Sequence, residues 1–419
     1  MTQQQNGQEP VLIIGAGISG LLLAQYLRKE GVAFRVFERD GDLATRGVGW
    51  GLTLHWSLEA LRSILPDDLV RKIPDAYVDR VAVEKGESSA FPFYDLKTGE
   101  RKFESPRAPE SQRIRVTRVR LRQLLASGIN IEWGKAFREL EQNDDSVTAT
   151  FDDESKASGR LLIACDGGAS RVRSALFPEK SMFKVPIRVL GLRLQLSPEQ
   201  IAPVKALDPF FAQGTSSEND TFIYLSLLDA PGSNEESTDK YECQMCVSWP
   251  YREGFFGQTS PVEAPDTNAG KHGLIQEFAD TWAEPFRTLA KNIPEDEEIK
   301  DLAPQDFAPP IGLHSKGRAV LMGDALHAMV MYRGEGANHC IVDVLDFIEN
   351  VGSHLNTEED FKDLRTALDR YEEVVIERVR PGVLASRRAC LDAHDWPRIN
   401  ANSPLLTRRQ MKLRLQDFE

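Results

Sequence analysis

Residues 11–40, VLIIGAGISGLLLAQYLRKEGVAFRVFERD, constrain the fold more tightly than any other stretch of the chain. Val11, Leu12, Ile13 and Ile14 form a short apolar run of the kind that suits a strand buried on both faces. Gly15-Ala-Gly17-Ile-Ser-Gly20 follows at once, and then a helical pattern (Leu21, Leu22, Leu23, Tyr26, Leu27) that ends near Gly31. A second strand over 34–37 closes on Glu38. In a βαβ unit each glycine has its own task. Gly15 permits the tight strand-to-helix turn, Gly17 lets the backbone approach a pyrophosphate, and Gly20 lets helix and sheet pack closely. The pyrophosphate then rests on unpaired N–H groups at the positive end of the helix. Glu38 falls where a carboxylate accepts both ribose hydroxyls of an adenosine and would repel a 2′-phosphate, so the resident nucleotide reads as FAD or NAD rather than NADP. A glycine triplet alone is weak; with strand, helix, second strand and terminal acid in one register, chance is the poorer explanation.

The rest of the chain reads as alternating layers. Arg46-Gly-Val-Gly-Trp-Gly51 suggests a loop held close to a ligand, leading into a strand at 51–54 that ends beside His55, and a helix at 57–65. Residues 77–84 and 90–94 have the alternation of a hairpin turning at 85–89. A strand at 112–116 runs into a helix at 118–127, a meander reaches about Phe151, and a buried-type strand at 160–164 leads to Cys165-Asp166-Gly167 and a helix. From 184 to 249 the strands become longer and alternating (185–196, 210–213, 221–228, 241–249), which indicates a separate antiparallel layer. Helices follow over about 273–292. The buried pattern returns at 319–322, before Gly323-Asp324 and a helix at 337–351. A long helix spans 358–393, with a shorter basic one near the end.

At 419 residues the chain can build a large core and more than one domain. A net charge of −13 and a pI near 5.2 disfavour nucleic acid as a partner. Residues 11–27 look superficially like a membrane segment, but their glycines keep dinucleotide register and no basic region precedes them. No other stretch approaches the ~20 apolar residues of a membrane helix. The five cysteines, few and odd in number, suit a reducing compartment, so the expectation is a soluble cytoplasmic protein. Cys243-Gln-Met-Cys246 has half of a zinc spacing but no second pair, and no metal is expected.

Three stretches together are specific. They are the glycine triplet with Glu38; Asp166-Gly167-Gly-Ala-Ser170-Arg-Val-Arg173; and Gly323-Asp324-Ala-Leu-His327 with Arg333-Gly-Glu-Gly336-Ala337-Asn338. Their order and spacing resemble the single-component FAD-dependent aromatic hydroxylases, the para-hydroxybenzoate hydroxylase-like class. Residues 46–61 and 371–394 are similar to tetracycline-modifying flavin monooxygenases and their fungal secondary-metabolism relatives. The resemblance implies an α/β fold: a Rossmann-like FAD-binding domain (1–76, 105–183, 305–356), interleaved with an antiparallel-sheet substrate domain (77–104, 184–304) and followed by C-terminal helices (357–419). It also implies roles. Asp324 would bond the ribityl chain, and the backbone at Gly336 and Ala337 would face the isoalloxazine. Arg118 would reach the phosphate or ribityl region, and Arg46 and Gly51 would line the flavin. Asp166 and Gly167 would serve both FAD and a visiting NADPH or NADH, with Arg173 offering charge to the latter.

The implied reaction is insertion of one oxygen atom from O₂, through a flavin C4a-hydroperoxide, into an aromatic, indole-like or polyketide molecule. His55, Arg193 and Tyr224 are the candidates for substrate contact and proton transfer, with Tyr332 beside them. The alternatives are that Asp166 merely caps a helix, that Arg173 and Arg193 are solvated charges, and that His327 is a packed structural histidine. Met331 stands where the family usually has a proline that stiffens the loop beside the flavin. That departure keeps two other readings open: a flavin oxidase, reductase or redox-neutral cyclase, and a flavin-binding protein without turnover.

Overall fold

The computed structural model describes residues 9–45, 49–233, 237–355 and 360–418. Its first layer is a five-stranded parallel sheet in the order Ala319–Leu321, Leu161–Ala164, Val11–Ile14, Phe34–Phe37 and Ile131–Glu132. Every residue of Val11–Ile14 and Leu161–Ala164 is buried, as continuous apolar runs require when both faces of a sheet are covered. Helix Ile18–Lys29 packs beside helix Gly336–Val351 on this sheet. The register does the positioning: Ile14 pairs with Ala164, and Ala164 with Leu321. Three strands therefore end level, and the turns that follow them lie side by side at the carboxyl edge of the sheet, where open α/β sheets bind ligands.

The second layer has seven strands, ordered Lys300–Leu302, Ile187–Leu196, Tyr241–Pro250, Phe222–Asp229, Phe211–Thr215, Phe93–Asp95 and Arg101–Phe103. It is antiparallel except where Phe93–Asp95 runs parallel to Phe211–Thr215. Leu190, Leu192, Leu194 and Leu196 share one face and pack with Ile275 and Phe278 of helix Asn268–Ala279. Val189 and Phe222, on the opposite face, pack with Tyr332 and Cys390. Cys243 joins the first of these cores and Cys246 the second, so the two thiols point to opposite sides of the sheet and act as small apolar residues. The 32-residue helix Phe361–Asp392 connects the layers: Leu368 and Val375 lie in the core of the parallel sheet, Ala389 and Cys390 in that of the second. No helix among the described residues is long and apolar enough to cross a membrane.

Two local expectations fail. Residues 77–84 are not a hairpin strand: Arg80–Glu84 is a helix, capped by Asp79, whose Oδ1 accepts from Ala82 N–H at 2.9 Å. Val81 and Val83 mimic strand alternation, but Asp79 is itself fixed by Lys205 at 3.2 Å, a partner 126 residues away. The hairpin that does form joins Phe93–Asp95 to Arg101–Phe103. Near the end, residues 399–418 contain only the single 3₁₀ turn Leu415–Asp417, not a basic helix.

Candidate active site

The three level turns open into one cavity of about 1130 Å³, more than the ~300–1,000 Å³ of a pocket for one small ligand. At its nucleotide end Gly15 takes φ +108°, and a Cβ there would lie under 3.0 Å from the Cys165 carbonyl. A Cβ at Gly20 would overlap the Gly15 carbonyl oxygen, whereas at Gly17 it would meet nothing within 4 Å. Gly17 and the uncapped first turn of helix Ile18–Lys29 thus present open backbone to the cavity. Glu38, 5% exposed, accepts from Ala16 N–H at 2.8 Å and lies 3.4 Å from the Arg122 guanidinium. Arg122 in turn donates to Ala16 O at 2.6 Å, bracing carboxylate and turn together. Sequence reading passed over Arg122; its signal is its position one helical turn after Arg118. Arg118 lines the cavity too, while Arg46 lies outside the described residues.

Asp166 accepts from Ser170 Oγ at 2.5 Å and from Arg171 and Val172 N–H at 2.9 and 3.2 Å, so its carboxylate caps helix Arg171–Leu176 while also bordering the cavity. Burial raises its pKa, against these hydrogen bonds. Asp324 is different: it faces the cavity, and the donor beside it is the weak Cys340 thiol at 3.6 Å. A carboxylate so sparsely provided suits a polyol, and the open backbone at Gly17 suits a pyrophosphate. The residues present therefore fit FAD.

Behind Asp324 lies a buried charge network. Asp343 accepts from Gly323 N–H at 2.8 Å, pairs with His327 Nε2 at 2.6 Å and receives Arg378 Nη2 at 2.6 Å. Arg378 also reaches Asp346 at 2.8 Å and His339 Nδ1 at 2.8 Å. Burial pushes the Asp343 carboxyl up, but His327 and Arg378 together hold it well below the usual carboxylate range. The network fixes the Gly323 turn against two helices, and His327 is the structural histidine of the alternative reading. Gly336 and Ala337 open helix Gly336–Val351 at the cavity wall. Asn338 ties that helix to the flanking strand, accepting from His55 N–H at 3.0 Å and donating to Thr53 O at 2.9 Å.

The far end of the cavity is built by the second sheet. Gly51 N–H donates to Gln244 Oε1 at 2.8 Å, joining the layers across it. Tyr224 lines this end, and its hydroxyl accepts from Arg115 Nη2 at 3.2 Å. Tyr332 also borders it but turns its hydroxyl away, to Ser248 Oγ at 2.9 Å. His55 lines it with its pKa lowered to about 3, first by burial and then by Arg409, Arg113 and Arg333. At neutral pH this imidazole is uncharged and too weak a base to ionise a phenol. Two expectations are corrected. Arg193 is exposed, pairs with Glu242 at 2.9 Å and is absent from the cavity lining, because odd positions of its strand beyond Gly191 face outward. Arg173 is not solvated and is absent from the cavity lining: it is 5% exposed and donates to Ala325 O at 2.8 Å and Gly168 O at 2.5 Å.

Comparison with known proteins agrees with this architecture. The FAD binding domain family model matches residues 8–200. The chain is 44% identical to a "Probable FAD-dependent monooxygenase" of Arthroderma benhamiae, over 95% of each protein. It is 35% identical to FAD-dependent monooxygenase dbaB of Emericella nidulans, over 82% of this chain and 86% of that one. Among solved structures, 2,6-dihydroxypyridine-3-hydroxylase from Arthrobacter nicotinovorans superposes with a TM-score of 0.74 at 20% identity, over 98% of this chain and 99% of that one, a likeness of fold.

Proposed function

The chain belongs to the FAD-dependent monooxygenases, and from that premise we propose that it places one oxygen atom of O₂ on an aromatic, indole-like or polyketide small molecule. The other oxygen atom leaves as water and NAD(P)H supplies the electron pair, so substrate, O₂, NAD(P)H and a proton give oxygenated product, water and NAD(P)⁺. The observation that carries the reading is a single cavity that begins at three level glycine-and-acid turns and ends among Phe91 and the second-sheet residues Phe211 and Tyr224. Bound FAD supplies oxygen activation and electrophilic oxygen transfer.

The protein's share is binding, orientation and exclusion of water. Glu38 holds the adenosine ribose, the backbone at Gly17 the pyrophosphate, and Asp324 the ribityl hydroxyls, with Arg118 near the phosphates. Gly51, Gly336 and Ala337 border the ring system, and the N-terminus of helix Gly336–Val351 offers positive potential there. Asp166 acts mainly by holding its own turn open. Because the Tyr224 hydroxyl accepts from Arg115, its proton is free to be donated to a substrate oxygen. His55 serves as a neutral hydrogen-bonding wall.

Met331 was the ground for an oxidase, reductase or cyclase, through loss of a stiffening proline. Three contacts hold the loop in place of the proline. Val330 O accepts from Ser386 Oγ at 2.6 Å, Tyr332 bonds Ser248, and Arg333 pairs with the buried Glu335 at 2.6 Å. The test is a screen of aromatic, indole and polyketide metabolites for faster NADPH or NADH oxidation by the yellow protein under labelled O₂. One labelled atom in the product is expected. Stimulated turnover without label would establish the rival chemistry, and flavin retention by both Glu38→Ala and Asp324→Ala would overturn the cofactor site.

A further inference from the structure

The turn that leads into helix Gly336–Val351 carries an acid where it could spoil the site. Glu335 immediately precedes the helix, and its carbonyl accepts the His339 N–H at 3.1 Å, the first bond of the helix. A carboxylate beside a helix start is drawn to the open N–H groups and positive end there. Glu335 makes no such bond. Its side chain is buried and turns the other way, accepting from Arg333 Nε at 2.6 Å, Arg333 Nη2 at 3.4 Å and Gln410 N–H at 3.1 Å. The first N–H groups of the helix therefore stay open beside the cavity that Gly336 and Ala337 line.

What turns Glu335 away is the C-terminal segment. Arg333, also buried, donates to the Pro404 carbonyl, to Thr407 Oγ1 at 3.2 Å and to the Arg408 carbonyl at 3.4 Å. Arg409 Nε returns a bond to the Arg333 carbonyl at 3.3 Å. Leu405 and Leu406 pack into the same core as Val330 and Tyr332, and Met411 packs against the core of the parallel sheet. At the other end Ser403 Oγ donates to the buried Asp392 carboxylate at 2.6 Å.

Residues 403–411 form neither helix nor strand, so these side-chain contacts are what dock the segment. Arg333 in turn spends all three of its nitrogens on Glu335 and on this segment. A buried ion pair persists only when the remaining hydrogen bonds of both partners are made. Lifting the segment would strip Arg333 of three acceptors and Glu335 of the Gln410 N–H. The pairing that keeps Glu335 off the helix therefore depends on a docked C-terminal segment.

From this geometry we infer that residues 403–411 are a latch that keeps the Glu335 carboxylate off the flavin-facing start of helix Gly336–Val351, with Arg333 as the positioning residue that joins latch to acid. The inference rests on the placement of FAD given above. A released Glu335 is free to turn to the positive end of the helix. There it would cancel the potential offered to the flavin ring and oppose the negative charge that reduction adds. Because the latch favours bound FAD, bound FAD favours the latch by the same factor.

The test compares the full-length protein with and without FAD. The Arg408 side chain is exposed while its carbonyl is held by Arg333, so trypsin cuts after it only when the segment lifts. FAD should slow that cut by about 10-fold, while the cut after Lys240, in an exposed turn, keeps its rate and Arg378, deep in the long helix, stays intact. Arg333→Gln should weaken FAD binding by about 10-fold and lower the midpoint potential of the bound flavin. Arg333→Gln/Glu335→Gln, which removes the released charge, should bring affinity back to within about 3-fold of wild type and raise the potential again. A purely structural Arg333 predicts a double variant no better than the single one, and that result would overturn the inference. So would an equal cleavage rate after Arg408 with and without FAD, a measurement on the wild type that needs no variant to fold. A protein that takes up no flavin would fail the cofactor reading first; one that binds FAD without protecting Arg408 would fail the latch alone.

Discussion

Alanine at Gly17 and at Gly20 should have opposite effects, and the contrast isolates what each glycine does. Gly17 has φ −84° and ψ −168°, a conformation open to any residue, and a Cβ there meets nothing within 4 Å. In the flavin-free protein Gly17→Ala should therefore be neutral or stabilising by up to about 1 kcal/mol, since it restricts the unfolded chain. The added methyl, however, stands where the pyrophosphate must approach the first turn. Losing one or two charge-assisted hydrogen bonds there, at about 1.5–3 kcal/mol each, weakens FAD binding by about 10- to 100-fold or more. At Gly20 the Cβ would overlap the Gly15 carbonyl oxygen and lie 3.2 Å from both Cys165 Cβ and Ile13 Cγ2. Backbone must move, at a cost of about 2–4 kcal/mol whether or not FAD is present. Urea denaturation of the deflavinated proteins reads the first quantity, and fluorescence titration with FAD reads the second. Unchanged FAD affinity in Gly17→Ala would refute the placement of the pyrophosphate. Wild-type stability in Gly20→Ala would refute the packing argument.

Other consequences follow from the buried charges. Arg378→Met strands Asp343 and Asp346 in the interior and should destabilise the protein by about 3–5 kcal/mol in urea denaturation; a loss under about 1 kcal/mol would show the network to be dispensable. His55 has its pKa lowered by burial to about 3, so the stability it contributes is complete above pH 6.5 and drains away as pH falls from there toward about 3. His55→Asn should narrow the difference between urea midpoints at pH 7 and pH 4.5, and an unchanged difference would assign the acid sensitivity to other groups. Arg173→Met should cost about 2–4 kcal/mol by leaving buried carbonyls without a donor, and the KM for NADPH should stay unchanged. A raised KM at full stability would restore a cofactor role.

What could be read in advance depended on how local each cause is. The Gly15–Gly20 turn, Glu38, Asp324 and the start of the 336–351 helix announce themselves because a strand end, its turn and the next helix occupy a few consecutive residues. Their hydrophobic periods and glycines encode the geometry directly. Arg193 was misread because alternation assigns a residue to a face without saying which face meets a ligand. Arg173 is buried rather than solvated because one of its acceptors, the Ala325 carbonyl, comes from a turn 152 residues away. The segment at 77–84 went wrong for the same reason: Val81 and Val83 satisfy a strand pattern, and the Asp79 cap is held by Lys205.

The sequence by itself settled the parallel sheet and the dinucleotide turn, since each depends on short-range sterics and hydrophobic period, and it pointed to the chemical class through the family resemblance that its three turns carry. Only the tertiary structure decided what lines the far end of the cavity. Arg115 meets Tyr224 only when its strand pairs with 51–54 and faces the second sheet, and Arg409 reaches the cavity only when the chain returns after its long helix. Electrostatic fit is a sum over groups brought together from distant parts of the chain, and no local pattern records that sum.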